Sequence, residues 1–192
     1  MTVRLDQIER ADAADIDAIL ALQLLNSSTN GGSLSVAFSR EWLAGAIATM
    51  PVMVARRDGR LVGYALSSTI AAQMHVPIIQ AMLRSCRIPQ GAYLYGPVCV
   101  AQSERGRGLA GLLFGALRRQ LLGRPAVTFI RSDNISSRRA HAKMGLRQAA
   151  DFTHAGETYL VMACEPDEPP AENGTIEAAA QPAEDTAETL KP

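Results

Sequence analysis

The residues with the clearest chemical purpose lie between positions 98 and 114, in the run Val-Cys-Val-Ala-Gln-Ser-Glu-Arg-Gly-Arg-Gly-Leu-Ala-Gly-Leu-Leu-Phe. An apolar strand passes through a short polar loop into a helix whose entrance is rich in glycine. The first amides of a helix have no intrahelical partner and point outward, and the helix dipole adds partial positive charge at that end. Glycine lets the backbone approach an anion closely, and Arg105 and Arg107 add full charges. The combination predicts a phosphate or pyrophosphate site.

Two ligands fit such a cradle. Gly106, Gly108 and Gly111 spell the dinucleotide-binding spacing Gly-x-Gly-x-x-Gly, and Asp133 follows the next strand where a ribose-binding acid belongs. An NAD(P)-binding oxidoreductase is therefore one alternative, and three features weigh against it. A dinucleotide turn follows its strand directly, whereas residues 101–105 intervene here. Further βα units should follow, but after Asp133 there is room for one short helix and a hairpin. The long stretch before the run has no place in that fold. A P-loop is excluded because no Gly-Lys-Ser/Thr follows.

The elements around the cradle alternate between strand and helix. Residues 2–8 alternate as a first strand. Asp12 caps a helix over 13–25, with Ile16, Ile19, Leu20 and Leu24 at helical spacing. A polar loop spans 26–33, and Ser39 caps a second helix through Thr49. Residues 52–56 and 61–68 form a hairpin around Asp58-Gly59. Helical spacing over 78–86, closed by Pro89 and Gly91, predicts an extra helix between strands. Residues 92–100 form a long apolar strand, 106–122 the glycine-led helix and 126–130 a buried strand. Asp133 or Asn134 caps a last helix that Gly145 ends. Residues 146–153 then pair with 158–163 around His154-Ala-Gly156. The order βααββ(α)βαβαββ gives a mixed α/β layer fold.

A chain of 192 residues suits one domain with a full core. Residues 165–192 hold eight acidic side chains and one basic one, with few large apolar residues, and are read as a disordered acidic tail. The formal net charge of zero therefore hides a body of about +7 over residues 1–164. A basic body suits a polyanionic ligand. Its arginines form no dense run, so nucleic acid is not an expected partner. No apolar signal core and no long apolar run is present, so a cytoplasmic protein without a membrane partner is expected. Cys86, Cys99 and Cys164 lack paired spacing, and neither a disulfide framework nor a metal site is expected.

At this point the chain resembles the GNAT acetyltransferase superfamily. That family's cofactor signature, Arg/Gln-x-x-Gly-x-Gly/Ala, reads here Arg105-Gly106-Arg107-Gly108-Leu109-Ala110. Its second signature is an Asn after the next strand and a helix ending in Lys-x-Gly-Phe. It runs here from Asn134 to Lys143-Met144-Gly145-Leu146. The resemblance covers roughly residues 2–164. It implies an α/β fold with a mixed, splayed central sheet and helices on both faces. It also implies acetyl-CoA as acyl donor and direct transfer to a primary amine in a ternary complex. By the same resemblance, the main chain of Val98, Cys99 and Val100 pairs with pantetheine, and an N–H near Val98 or Val100 stabilises the oxyanion. The backbone of Arg105, Gly106, Arg107, Gly108, Leu109 and Ala110 holds the pyrophosphate, with Asn134 and Ser137 near the cofactor.

The chain departs from the family at the proton donor. Where the family carries Tyr, four residues before the closing Gly, this chain carries His141. A histidine with an ordinary pKa of about 6.5 is half charged near neutrality and can donate a proton to the leaving thiolate. The strand at 92–100 offers no acidic base. A non-catalytic acyl-CoA-binding regulatory module is the second alternative, because both the Tyr and the base are missing. Cys99, Tyr93 and Tyr95 are read as packing residues and His154 as part of a turn. Met74, Met82 and residues 76–79 are read as packing on the sheet rather than as a lid. Residues 26–33, 70–91 and the final hairpin should select the acceptor, a small-molecule or peptide amine. A homodimer stays open.

Overall fold

Short-range signals set the element ends. The Asp12 side chain accepts from the Ala14 N–H and Asp15 bonds back to the Asp12 N–H, a capping box. The Ser39 side chain accepts from the Trp42 N–H. Asp58 and Gly59 have φ of 50° and 72°, the signs that a two-residue hairpin needs. At the far end of the last helix Gly145 takes φ 87°, and the Leu146 N–H reaches the His141 carbonyl at 3.1 Å.

The computed structural model describes residues 7–166 except 31, 33, 35 and 36. The elements are β1 (Gln7–Arg10), α1 (Ile16–Leu25), α2 (Arg40–Thr49), β2 (Met53–Arg57), β3 (Arg60–Thr69), α3 (Ile70–Gln73), α4 (Pro77–Ser85), β4 (Tyr93–Val100), α5 (Leu109–Gln120), β5 (Ala126–Arg131), α6 (Ile135–Lys143), β6 (Arg147–His154) and β7 (Glu157–Cys164). The strands form one sheet in the order β1-β2-β3-β4-β5-β7-β6. All neighbours pair antiparallel except β4 and β5. Helices cover both faces, in accord with the expected mixed α/β class. Tyr93, Tyr95, Val98 and Val100 of β4 pack with Leu109, Leu113 and Phe114 of α5. On the opposite face Tyr64, Leu66 and Cys99 meet Ile19 and Leu22 of α1 and Leu43 of α2. Beside them Leu94, Val127 and Val161 meet Ile79 and Met82 of α4.

Several boundaries differ from the sequence reading. The first strand continues to Arg10, and residues 2–6 lie outside the described ones. The predicted helix over 13–25 opens with a 3-10 turn, Ala13–Asp15. The predicted helix over 106–122 begins only at Leu109, because Gly106 and Gly108 take φ of 76° and 78°. The short helix α3, capped by Thr69, was not predicted. Ile79 and Met82 are buried against the sheet, as the packing reading expects, but Met74 is exposed and does not share in that packing. Of the predicted acidic tail, only Glu165 and Pro166 are described. No described helix is long and apolar enough to cross a membrane.

Candidate active site

The site begins where the two parallel strands part. β4 and β5 pair only through Tyr93–Ala126 and Leu94–Val127. Just beyond, Gly96 takes φ 105° before Pro97, and the register of β4 against β3 slips between Ala65 and Ser67. Proline has no N–H to donate, and a bulge bends the strand that carries it. β4 therefore leaves β5 and opens a wedge.

The register decides which main-chain groups face that wedge. The Ala101 N–H bonds the Val62 carbonyl at 2.8 Å. Bonded and non-bonded pairs alternate along antiparallel strands, so Gly63–Val100 and Ala65–Val98 are the non-bonded pairs. The N–H and C=O of Val98 and Val100 point away from β3, into the wedge. Cys99 does not join them. Its main chain turns to Tyr64 and its side chain packs under α1. Burial pushes its thiol up to about 11, against smaller downward pulls from the Tyr64 hydroxyl and the Arg105 charge. That keeps the sulfur protonated near neutrality, as a packing residue requires.

The glycine-rich loop closes one end of the wedge. A Cβ at Gly106 or Gly108 would meet nothing within 4 Å, so their positive φ, not crowding, calls for glycine. Gly108 is the N-cap of α5 and brings no side chain to its first amides, and no acidic residue lies in that first turn. The two arginines have different partners. Arg105 reaches back across the wedge edge, from Nε to the Val100 carbonyl at 3.3 Å and from Nη2 to Oδ1 of the buried Asn26. Arg107 lies 3.6 Å from Glu104, three residues before it. Glu104 is itself buried and accepts from Arg57 of β2 at 2.8 Å. Leu109 is buried and Ala110 follows it in the first turn of α5.

The opposite wall comes from α6, which starts directly after β5. The Asn134 side chain accepts from the Ser137 N–H at 3.1 Å and so caps the helix. Asn134, rather than Asp133, is therefore the cap. About two turns on, His141 is buried, with Nδ1 2.8 Å from the Ser137 carbonyl and 3.3 Å from its hydroxyl. A carbonyl only accepts, so Nδ1 carries the hydrogen and Nε2 is left for other chemistry. The ordinary pKa expected for His141 does not hold. Burial lowers it, with the Ser137 carbonyl opposing in part. The ring packs 5.6 Å from Tyr95, whose own ring lies 4.5 Å from Phe114. The Tyr95 hydroxyl is fully buried and has no hydrogen-bond partner among the described residues, and burial raises its pKa beyond the usual phenol range.

The dinucleotide alternative fails on two observations. Both Asp133 oxygens are held by Arg131, at 2.7 and 2.8 Å, where a ribose would need them. The sheet is largely antiparallel rather than doubly wound. The sequence reading gave Arg57 and Glu104 no role at the site and placed Asn26 only in the acceptor-selecting loop, because their contacts lie across the fold or in no recognised pattern.

The sequence matches the acetyltransferase (GNAT) family over residues 21–146, about two thirds of the chain, and the protein belongs to that family. Solved structures share the fold. An N-acetyltransferase from Staphylococcus aureus Mu50 aligns at 20% identity with TM-score 0.62, over 83% of this chain and 97% of that one. The ribosomal-protein-S18-alanine N-acetyltransferase of Escherichia coli aligns at 13% and 0.61, over 88% and 99%. The yncA protein of Salmonella typhimurium, solved with its cofactor acetyl-CoA, aligns at 19% and 0.62, over 88% and 98%. No curated protein matches the sequence.

Proposed function

We propose that the protein transfers an acetyl group from acetyl-CoA to a primary amine, directly, within a ternary complex. The observation that carries this is the pair of wedge-facing residues, Val98 and Val100, beside a glycine-lined helix start that no side chain caps. A pantetheine arm can pair with that strand edge as an added strand does. The amides after Gly108, with Arg105 and Arg107, suit the pyrophosphate. Asn134 and Ser137 flank the same opening, although the Asn134 oxygen is already engaged as a cap. A protein that is crystallised with acetyl-CoA and shares this fold supports the choice of donor.

In the reaction the amine nitrogen attacks the thioester carbonyl, the N–C bond forms and the C–S bond breaks. An N–H of Val98 or Val100 faces the developing oxyanion. His141 starts neutral, because burial lowers its pKa. Its Nε2 takes the proton that the amine sheds and passes it to the departing thiolate, while Nδ1 stays on the Ser137 carbonyl. The acceptor is a small-molecule or peptide amine. A neighbour that acts on a ribosomal-protein alanine supports the peptide case in kind, not in identity.

Calorimetric titration tests the donor. Acetyl-CoA and CoA should bind and NAD(P) should not. Binding of NAD(P) without CoA would overturn the proposal. Binding of acetyl-CoA with no turnover on any amine would favour a regulatory acyl-CoA-binding module instead.

A further inference from the structure

Glu104 is a poor choice of residue for the rim of an anion site unless it has a structural task there. It sits in the 3-10 turn Gln102–Glu104, immediately before the glycine loop, and is only 5% exposed. A buried carboxylate needs a partner. Glu104 has one in Arg57, at 2.8 Å, whose side chain is also mostly buried. The same Oε2 lies 3.6 Å from Nη1 of Arg107, whose side chain is 57% exposed. One oxygen thus joins a strand on the far side of β3 to the outer arm of the cradle. The bond to Arg57 is the short, shielded one, and the contact with Arg107 is long and open.

We infer that Glu104 is a positioning residue for acetyl-CoA. Through Arg57 it clamps the glycine loop against β2, and through Arg107 it holds that guanidinium at the cradle until phosphate takes it over. The inference rests on the acetyl-CoA reading above. The opposing charge effect is real, since a carboxylate near a pyrophosphate repels it. Arg57 compensates that charge locally, so the loop keeps its anchor without a net negative rim.

The two roles of the carboxylate separate by substitution. Acetyl-CoA is titrated calorimetrically into the full chain, Glu104→Gln, Glu104→Ala, Arg107→Ala and the Glu104→Ala/Arg107→Ala pair, with a melting midpoint for each. Glutamine still offers an oxygen to Arg57, so Glu104→Gln keeps the affinity within about twofold or tightens it. Glu104→Ala offers none and weakens binding by about fivefold or more. In that background Arg107→Ala costs less than about half of what it costs alone, because the arm is already unplaced. If both Glu104 variants tighten binding alike, the residue is only a repelling charge and the inference falls. It also falls if Arg107→Ala costs the same in both backgrounds, or if both Glu104 variants weaken binding only in step with their melting points. Should the alanine variant not fold, Glu104→Met fills the space without accepting from Arg57, and the same cycle decides. A wild-type chain that binds no acetyl-CoA overturns the donor assignment itself, a result distinct from the others.

Discussion

Two glycines three positions apart should respond in opposite directions to the same change. Gly108 stands at φ 78° and an added Cβ would meet nothing within 4 Å. The cost of Gly108→Ala is then all backbone, roughly 1–2 kcal/mol for an L-residue in the left-handed region. Gly111 lies inside α5, and its Cβ would meet only Met144 Cγ at 3.7 Å, an ordinary contact. Gly111→Ala should gain about 0.5–1 kcal/mol in helix stability. The two variants then differ by roughly 1.5–3 kcal/mol. At about 2–4 °C per kcal/mol for a chain of this size, their midpoints separate by about 3–12 °C. Function should divide the same way. The amides after Gly108 follow its dihedrals, so Gly108→Ala weakens acetyl-CoA binding, while Gly111→Ala leaves it within about twofold. A dinucleotide fold would instead need Gly111 for close helix–strand packing. Scanning calorimetry and acetyl-CoA titration read both effects. A Gly111→Ala variant less stable than wild type, or a Gly108→Ala variant as stable as wild type, would refute the reasoning.

Three further changes test other joints of the structure. His141 has a lowered pKa from burial, so the unfolded chain binds its proton first. The resulting stability is full above the unfolded value of about 6.5 and drains as pH falls towards the folded value. His141→Phe should remove that share of acid sensitivity, read as a shallower fall of the urea midpoint on acidification. An unchanged pH dependence contradicts the burial effect. A Cβ at Gly63 would lie 3.1 and 3.3 Å from the ends of Leu113 and Leu109 and 3.2 Å from the Cys99 carbonyl. The leucines can give and the carbonyl cannot, so Gly63→Ala should cost roughly 1–3 kcal/mol in chemical denaturation and loosen α5 from β3. A midpoint equal to wild type would show that the backbone yields. Asn134→Ala removes the α6 cap and should cost about 1 kcal/mol, with Asn134→Asp retaining most of it. Equal loss in both variants would place the role of Asn134 elsewhere.

Much of the fold was legible because its signals are local. Asp12, Ser39, Asp58-Gly59 and Gly145 each act within one turn of the chain, and each stands where its pattern put it. The start of α5 was misplaced because glycine is silent about φ: the same two residues could enter a helix or delay it. The splay was legible only through resemblance. What opens it is the meeting of Pro97 with a slip opposite Leu66, and no pattern within one strand reveals its partner's register. The cradle arginines were visible, but their holders were not. Asn26 is 79 positions from Arg105, and Arg57 is 47 from Glu104. His141 was found from its place before Gly145, while its burial against Tyr95 and its Nδ1 bond needed the packed structure.

The proposed reaction is transfer of acetyl from acetyl-CoA to an amine at the β4–β5 wedge. The most direct measurement follows free CoA and the acetylated product together while acetyl-CoA is supplied with a panel of small amines and peptides bearing free N-termini. With a true acceptor, free CoA and acetylated amine should rise in equal amounts, at a rate reduced in His141→Phe and Gly108→Ala. CoA release without an acetylated amine, or full turnover in both variants, would contradict it.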